Sequence, residues 1–185
     1  MNFCSNCGKP VKLETPPGDD RPRHVCPTCG TIHYENPKVV VGCIPEMDDK
    51  ILLCRRAIEP MFGKWTLPAG YLENGETVAE GARRETLEEA GARIEIIDPY
   101  ALFNISYVSQ IYVMFRARMI DGHFEAGSES SDVRFFSESE IPWGEIAFTV
   151  IEATLRQYFE DKPDGLFPFH MGDILPQTRE NAGEY

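Results

Sequence analysis

Hydrophobic and polar positions along the chain change period several times. β-Branched and apolar runs at 39–44 and 51–55 are separated by Asp48-Asp49-Lys50, and this pattern predicts two strands joined as a hairpin. Asp121-Gly122 is a further hairpin-type turn signal. Additional strands are predicted at 94–97, 102–108, 111–119 and 133–136. Cys43 and Cys54 fall inside the first two strands and are expected to be buried, reduced thiols.

Two segments have the helical period instead. A helix is predicted over 77–90, ended by Gly91, and a second over about 144–160, where apolar residues from Ile146 to Phe159 form one stripe. Ser137 and Glu140 have the spacing of a capping box. Strands interleaved with helices indicate a mixed α/β domain, which we place at 35–162. The segment 163–185 has no periodicity and is expected to be a loop-like C-terminal tail, in which 167–169 (Phe-Pro-Phe) could dock on the domain.

The N-terminal segment 1–34 is poor in apolar residues and contains two Cys-x2-Cys pairs. Cys4 and Cys7 are separated by 18 residues from Cys26 and Cys29, a spacing expected of a four-thiolate zinc site. A segment this short and poor in apolar residues could hardly fold by itself, and zinc binding would supply the missing folding free energy. Four sulfur ligands close the coordination shell, so the zinc is expected to be structural, and His33 has no place as a ligand. Two disulfides or four unrelated thiols are the alternative.

Composition restricts the functional classes. The chain has 185 residues, a formal net charge of −12 and a pI of about 4.8, so wrapping of a nucleic-acid duplex by bulk electrostatics is not expected. No run of eighteen apolar residues predicts a membrane span, and the first ten residues have no apolar core of a secretory signal. With the cysteine spacing, these features favour a reducing, cytoplasmic location.

The end of the first predicted helix is unusually acidic. Glu85, Glu88 and Glu89 share one helical face, where like charges repel by a few tenths of a kcal/mol per pair, and they lie near the helix C-terminus, where the dipole disfavours anions. Val78 and Ala82 lie on the same side, so a small apolar stripe continues into the carboxylates. A solvated acidic face is the simplest interpretation of such a helix taken alone. A site for a hard divalent cation, Mg²⁺ or Mn²⁺, is the alternative, because such a cation prefers clustered oxygens.

The surrounding sequence decides between these interpretations. Residues 70–92 read GYLENGETVAEGARRETLEEAGA: Gly70, five residues, Glu76, seven residues, Arg84-Glu85, two residues, Glu88-Glu89, one residue and Gly91. This pattern resembles the Nudix box. A four-cysteine ribbon before such a domain is similar to NADH pyrophosphatases and to the zinc-ribbon Nudix hydrolases that act on FAD and ADP-ribose.

The resemblance implies a fold and a set of roles. The fold is the Nudix α/β/α sandwich, with a mixed sheet between helices, preceded by a small zinc ribbon. Glu85, Glu88 and Glu89 would hold Mg²⁺ or Mn²⁺, with the Gly70 carbonyl as a further ligand, while Arg84 and Glu76 would brace the loop and helix. Glu129 matches a downstream glutamate that binds metal or activates water in similar enzymes, although Glu125 and Asp132 lie nearby.

The resemblance also implies a reaction, hydrolysis of a nucleoside diphosphate linked to another group into two monophosphates. FAD or ADP-ribose is favoured over NADH, because the SQPWPFP-type signature is absent and the region reads NISYVSQIYVMF. Tyr107 lies where subfamilies place specificity residues. Arg55 and Arg56 could contact phosphate or could be surface charges. A nucleotide sensor and a nucleic-acid-binding ribbon are the non-catalytic alternatives, and a homodimer is expected by similarity only.

Overall fold

The computed structural model describes residues 1–176 and divides the chain into two compact units, Met1–Pro37 and Lys38–Tyr185. Each unit has its own sheet. Among the described residues, no helix is both long enough and apolar enough to cross a membrane.

The first unit is a three-stranded antiparallel sheet with four converging cysteines. Its strands are β1 (Lys12–Glu14), β2 (Arg23–Val25) and β3 (Ile32–His33). Each Cys-x2-Cys pair is closed by a glycine at positive φ, Gly8 or Gly30, whose N–H donates to the carbonyl of the pair's first cysteine. A β-carbon is disfavoured at that φ, which explains why both pairs end in glycine.

The four sulfurs fit one zinc ion. The Sγ atoms of Cys4, Cys7, Cys26 and Cys29 all lie within 4.8 Å of one another, and two of the separations are 3.5 and 3.7 Å. A tetrahedral site with Zn–S bonds of about 2.3 Å requires separations of about 3.8 Å. The buried His33 is not part of this group, but its Nε2 lies 3.3 Å from Cys4 Sγ. With Nε2 protonated, the ring donates a hydrogen bond to the sulfur and orients it, as partners of metal ligands commonly do.

The second unit is built on one mixed sheet with a helix on each face. Its strands are β4 (Lys38–Met47), β5 (Lys50–Arg56), β6 (Trp65–Thr66), β7 (Ala69–Tyr71), β8 (Ile94–Ile105), β9 (Gln110–Met119), β10 (Ser130–Phe136) and β11 (His170–Asp173). Its α-helices are α1 (Val78–Ala90) and α2 (Thr149–Asp161), and short 3-10 turns occupy 106–108, 138–140, 143–145 and 162–164. The sheet order is β10-β5-β4-β9-β8-β11, with β6 paired to β5 and β7 paired to β4. The β4–β9 and β8–β11 pairs are parallel and the others are antiparallel.

Alternation along the central strands builds two cores. On β5, Leu52 and Cys54 belong to the apolar cluster beneath α1, while Ile51 and Leu53 belong to the cluster beneath α2. This period of two is the one expected of a strand covered on both sides. The α/β/α sandwich with a mixed sheet is therefore confirmed.

The sheet splits between β4 and β5. These strands pair only next to their hairpin turn, at Glu46–Ile51 and Met47–Lys50. Beyond that point β7 pairs with residues 40–42 of β4, and β6 pairs with Cys54 and Arg55 of β5. The loop that carries β6 and β7 thus occupies the gap between two diverging strands.

Three boundaries differ from the sequence-based prediction. The predicted strands at 94–97 and 102–108 are one strand, β8, with irregular register at 96–98 and 99–101. The second helix begins at Thr149 instead of 144, because 146–147 bond to Trp65 in extended form. Asp121-Gly122 does not close a hairpin. The chain instead continues past the end of α1, where Glu125 and Gly127 N–H groups donate to the Ala90 and Glu89 carbonyls, before β10 pairs with β5.

The expectation of a loop-like tail from 163 is wrong for part of that segment. The Phe167 ring stacks on the Tyr158 ring, with 5.4 Å between the two centroids. The guanidinium carbon of Arg116 lies 3.4 Å from the centroid of the Phe167 ring. Residues 170–173 then form β11 against Ala101–Asn104 of β8. A four-residue edge strand of sequence HMGD has no alternation to detect, so its partner alone determines it. The remainder of the predicted tail, 177–185, lies outside the described residues.

Protein purified without chelator should contain one zinc per chain. Cys29→Ser should abolish tight zinc binding and unfold residues 1–37, because the metal supplies the folding free energy of so small a unit. Metal analysis and amide hydrogen exchange measure the two effects. Cys43→Ser is the control, since that sulfur lies in the core beneath α1 and zinc should be retained. A wild-type zinc content well below one, or undiminished protection of 1–37 in Cys29→Ser, would contradict the assignment.

Candidate active site

The position of the acidic residues is fixed by the ends of α1. Thr77 caps the helix in a reciprocal capping box with Glu80, and Gly91 ends it in the left-handed conformation at φ 60°. Within this helix Glu85 and Glu89 are 9% and 8% exposed, whereas the Glu88 side chain is 59% exposed. Two of the three carboxylates are therefore buried at the helix end that disfavours anions.

Arg84 ties the helix to the loop that precedes it. Its guanidinium makes two hydrogen bonds to Glu76, Nε to Oε2 at 3.0 Å and Nη2 to Oε1 at 2.6 Å, and a third to the Tyr71 carbonyl at 3.1 Å. Its Nη1 also donates to Glu85 at 2.6 Å and Glu88 at 3.2 Å. The Arg84 guanidinium is thus shared among three carboxylates. Its two-bond interaction is with Glu76, which lies outside the acidic cluster.

Strand β7 brings backbone against the buried carboxylates. The Ala69 N–H donates to Glu89 Oε2 at 3.1 Å. Gly70 lies so close to the Glu85 carboxylate that a β-carbon at position 70 would overlap it. Glycine is required here for close approach rather than for backbone angle, because Gly70 is absent from the positive-φ glycines.

Burial leaves these carboxylates under-compensated. Desolvation raises the pKa of Glu89 to about 8; the neighbouring Glu85 and Glu129 charges add to the rise, and the Ala69 N–H opposes it. Desolvation likewise raises the pKa of Glu85, against the opposing hydrogen bond from Arg84. Glu76, which Arg84 engages on both oxygens, has its pKa lowered to about 2. The cluster is short of positive charge, and this is the condition that a bound divalent cation relieves.

A cavity of about 900 Å³ opens where the sheet splits. One side is formed by Glu85, Glu88, Glu89 and Glu129, with Arg56 and Arg84 among them. Another side is apolar and includes Ile105, Phe148, Val150 and Ile174. The volume is at the upper end of the range for small-molecule sites.

The structure separates some of the residues that the sequence left as alternatives. Arg56 and Tyr107 line the cavity. Arg55, one position earlier on β5, has the opposite orientation and donates from Nε to the Gly63 carbonyl at 2.8 Å. It is not among the lining residues, because alternation sends neighbouring strand residues to opposite faces.

The three downstream acids are likewise separated. Of Glu125, Glu129 and Asp132, only Glu129 lines the cavity. Glu125 lies against Gly91 at the end of α1, and Asp132 is paired with Arg134. Trp65 packs in the core beneath α2.

Several lining residues could not be found from the sequence. Tyr71 and Gln110 are joined by a hydrogen bond of 3.1 Å at the cavity, and Ile174 comes from beyond the second helix. No periodicity or motif marks them, because they meet through the sheet. Tyr71 was adjacent to a detected motif residue, Gly70, and that adjacency was the one available signal.

Comparison with known families assigns the two units. The zinc-ribbon family described as "Nudix N-terminal" matches residues 2–35, and the NUDIX domain family matches residues 36–158. The chain therefore belongs to the Nudix hydrolase family, within the group that has an N-terminal zinc ribbon. A NUDIX hydrolase of known structure from Nitrosomonas europaea is 56% identical, with a TM-score of 0.92, and the match covers 94% of this chain and 99% of that one.

The named relatives differ in activity. An ADP-ribose pyrophosphatase from Methanocaldococcus jannaschii is 33% identical over 59% of this chain and 67% of its own length. An NAD-capped RNA hydrolase NudC from Vibrio parahaemolyticus is 29% identical over 87% of this chain, which spans 62% of that protein. An ADP-ribose pyrophosphatase from Streptococcus suis, 21% identical with a TM-score of 0.61, shows the fold alone.

Glu89→Gln should stabilise the protein at alkaline pH when Mg²⁺ and Mn²⁺ are absent. In the folded protein the pKa of Glu89 is raised to about 8, whereas in an unfolded chain the pKa of a glutamate is about 4.3. Wild-type stability should therefore fall as pH rises between those values. Glutamine removes this loss, so the free energy of unfolding of the variant should exceed that of wild type by about 1 kcal/mol or more at pH 8. Denaturant titrations at pH 5 and pH 8 measure the difference.

Glu88→Gln is the matched control, because that side chain is exposed and should give a smaller pH-dependent gain. Equal behaviour of the two variants, or a loss of stability in Glu89→Gln at pH 8, would show that burial does not destabilise the Glu89 charge.

Proposed function

We propose that this chain hydrolyses the pyrophosphate bond of a nucleoside diphosphate derivative of the FAD or ADP-ribose type, yielding two monophosphates. The observation that carries the proposal is the two-sided cavity, in which an under-compensated carboxylate cluster faces an apolar region. Carboxylates alone would repel a pyrophosphate, so the cluster suits such a substrate only with Mg²⁺ or Mn²⁺. The apolar region suits a base or another ring.

The residues that would hold the catalytic ions are Glu85, Glu88 and Glu89, with Glu129 and the Gly70 carbonyl as further oxygen donors. The close packing of Gly70 against Glu85 and the charge deficit of the cluster support this set. When bound, divalent cations neutralise the phosphate oxygens and acidify a coordinated water. Arg56, which lines the same cavity, would bind a phosphate oxygen.

Glu129 is the best-placed proton acceptor in this set. Glu85 and Glu88 accept hydrogen bonds from Arg84, and Glu89 accepts one from Ala69. Among the described residues, the Glu129 carboxylate has no hydrogen-bond or ion-pair partner, and it faces the cavity. A carboxylate oxygen that binds neither a protein donor nor an ion can take the proton of an attacking water as general base, so Glu129 would serve through its second oxygen when the first holds an ion. Arg84, held by Glu76, would then orient the cluster rather than the substrate.

NADH or the NAD cap of RNA is the second candidate substrate. It is favoured by one observation, that the NudC relative aligns over 87% of this chain, whereas the ADP-ribose pyrophosphatase aligns over 59%. The net charge of −12 is unfavourable for extended contact with an RNA backbone. The homodimer, expected by resemblance, stays a prediction.

A substrate panel tests the proposal directly. FAD, ADP-ribose, NADH and NAD-capped RNA should be incubated with Mg²⁺ or Mn²⁺ and the products identified. FAD or ADP-ribose is expected to be cleaved with the highest kcat/KM, with AMP as one product. Preferential cleavage of NADH or capped RNA would select the second candidate, and no turnover on any member would overturn the hydrolase proposal in favour of a nucleotide sensor.

Glu88→Gln and Glu89→Gln should each lower kcat by about two orders of magnitude or more, the scale expected when a metal-site or proton-transfer contribution is lost. Steady-state kinetics over a range of Mg²⁺ concentrations measures the effect. Glu138→Gln, an exposed acid outside the cavity, is the control and should keep full activity. A near-normal kcat in Glu88→Gln and Glu89→Gln would show that these carboxylates have no catalytic role.

A further inference from the structure

The chain beyond the family domain returns to the cavity. The NUDIX match ends at residue 158, yet Ile174 lines the apolar side of the cavity. Its own N–H donates to the Asn104 carbonyl at 2.9 Å, and its side chain packs against the core beneath α2. A residue outside the matched domain therefore supplies part of the cavity surface.

We propose that Ile174, positioned by β11, forms a specificity wall, which contacts the aromatic ring of the substrate while the cations held by α1 bind the pyrophosphate. The proposal rests on the proposed function and refines it, because it assigns the apolar side of the cavity to the base or flavin ring. Ile174 is a binding residue in this proposal, and the residues that hold β11 are positioning residues.

The polarity of the cavity supports this division. Ile105 and Val150 belong to the apolar cluster beneath α2, and Phe148 and Ile174 pack against that cluster. This side of the cavity is therefore formed by aliphatic and aromatic side chains. Glu85, Glu88 and Glu89 come from α1, on the opposite face of the sheet. A substrate with a charged centre and a planar apolar end matches this division.

The wall is held in place by a set of side-chain bonds. Asp161 Oδ2, at the end of α2, lies 2.7 Å from His170 Nε2 and accepts a hydrogen bond of 2.7 Å from the hydroxyl of the fully buried Tyr100. At the other end of β11, Asn104 Nδ2 donates to Asp173 Oδ1 at 3.0 Å. Both ends of a four-residue strand are thus fixed, so the residue that follows it has a defined position.

Substitution at 174 tests the wall, with its neighbour as the control. Ile174→Asp should raise KM for the best substrate about tenfold or more, the scale of losing an apolar contact in a binding pocket, with kcat within about threefold of wild type. Leu175→Asp places the same charge on a side chain that is 71% exposed and not on the cavity, so KM should not change. Ile174→Ala, a milder change, guards against misfolding, and melting temperatures are recorded for all variants.

His170→Asn tests the anchor. It removes the ring that contacts Asp161 without altering the cavity surface, so KM should rise in the same direction as in Ile174→Ala while kcat is kept. A merely structural role would instead lower the melting temperature and leave the KM of the remaining folded enzyme unchanged. Unchanged KM in both Ile174 variants, or an equal effect from Leu175→Asp, would overturn the proposal.

Binding separates this inference from the proposed function. FAD and ADP-ribose affinities are measured by equilibrium binding with Ca²⁺ in place of Mg²⁺ or Mn²⁺, because a hard cation offsets the carboxylate charge that would otherwise repel the pyrophosphate. If Ile174→Asp binds these compounds more weakly than wild type does, the specificity wall is supported, even if wild type hydrolyses neither compound. That absence of hydrolysis would contradict the proposed function alone. If wild type hydrolyses a compound but the Ile174 variants keep the wild-type affinity and KM, the wall is contradicted and the proposed function stands. Wild type that binds neither compound overturns the wall as well.

Discussion

Burial of two carboxylates at the C-terminal end of α1 is the constraint on which the site depends. Desolvation and the charges of neighbouring carboxylates disfavour Glu85 and Glu89 as anions, and the helix dipole adds to this for Glu89, which lies in the last turn. What holds them there is the rest of the domain: the core beneath α1, the cap at Thr77, the glycine stop at 91 and the approach of β7. The free energy of folding tolerates an unfavourable cluster, whose charge a divalent cation would offset in the function proposed above.

The split of the sheet provides the space in which that cluster can act. If β4 and β5 paired along their full length, no gap would open between them. They diverge instead, and β6 and β7 enter the gap from one loop. The same loop brings Ala69 and Gly70 to the glutamates and leaves Arg56 beside the cavity. The opening of the cavity and the packing of the carboxylates therefore have one structural origin.

Arg84 and the C-terminal segment play comparable parts at the two sides of the cavity. Arg84 fixes the polar side through Glu76 and Tyr71, and the Asp161, Tyr100 and His170 contacts fix the apolar side through β11. Each uses a charged or polar group to hold an element whose own sequence would not specify its position. A shared domain can then acquire a different wall by changing a short segment after α2.

The sequence by itself determined what is local. Both Cys-x2-Cys pairs, the capped helix with Gly91 after it, the alternating strands and the spacing of the box from Gly70 to Gly91 are short-range patterns, so the family, the fold class and the acidic cluster could be predicted from them. The choices left open were those of long range. Whether Arg55 or Arg56 reaches the cavity depends on the register and twist of β5, and whether Glu125, Glu129 or Asp132 reaches it depends on how the chain passes the end of α1. Strand β11 has no pattern of its own, and Ile174 reaches the cavity only because β8 supplies the partner backbone. Tertiary structure decided these points because contacts between distant residues are set by packing and pairing, which no window of sequence contains.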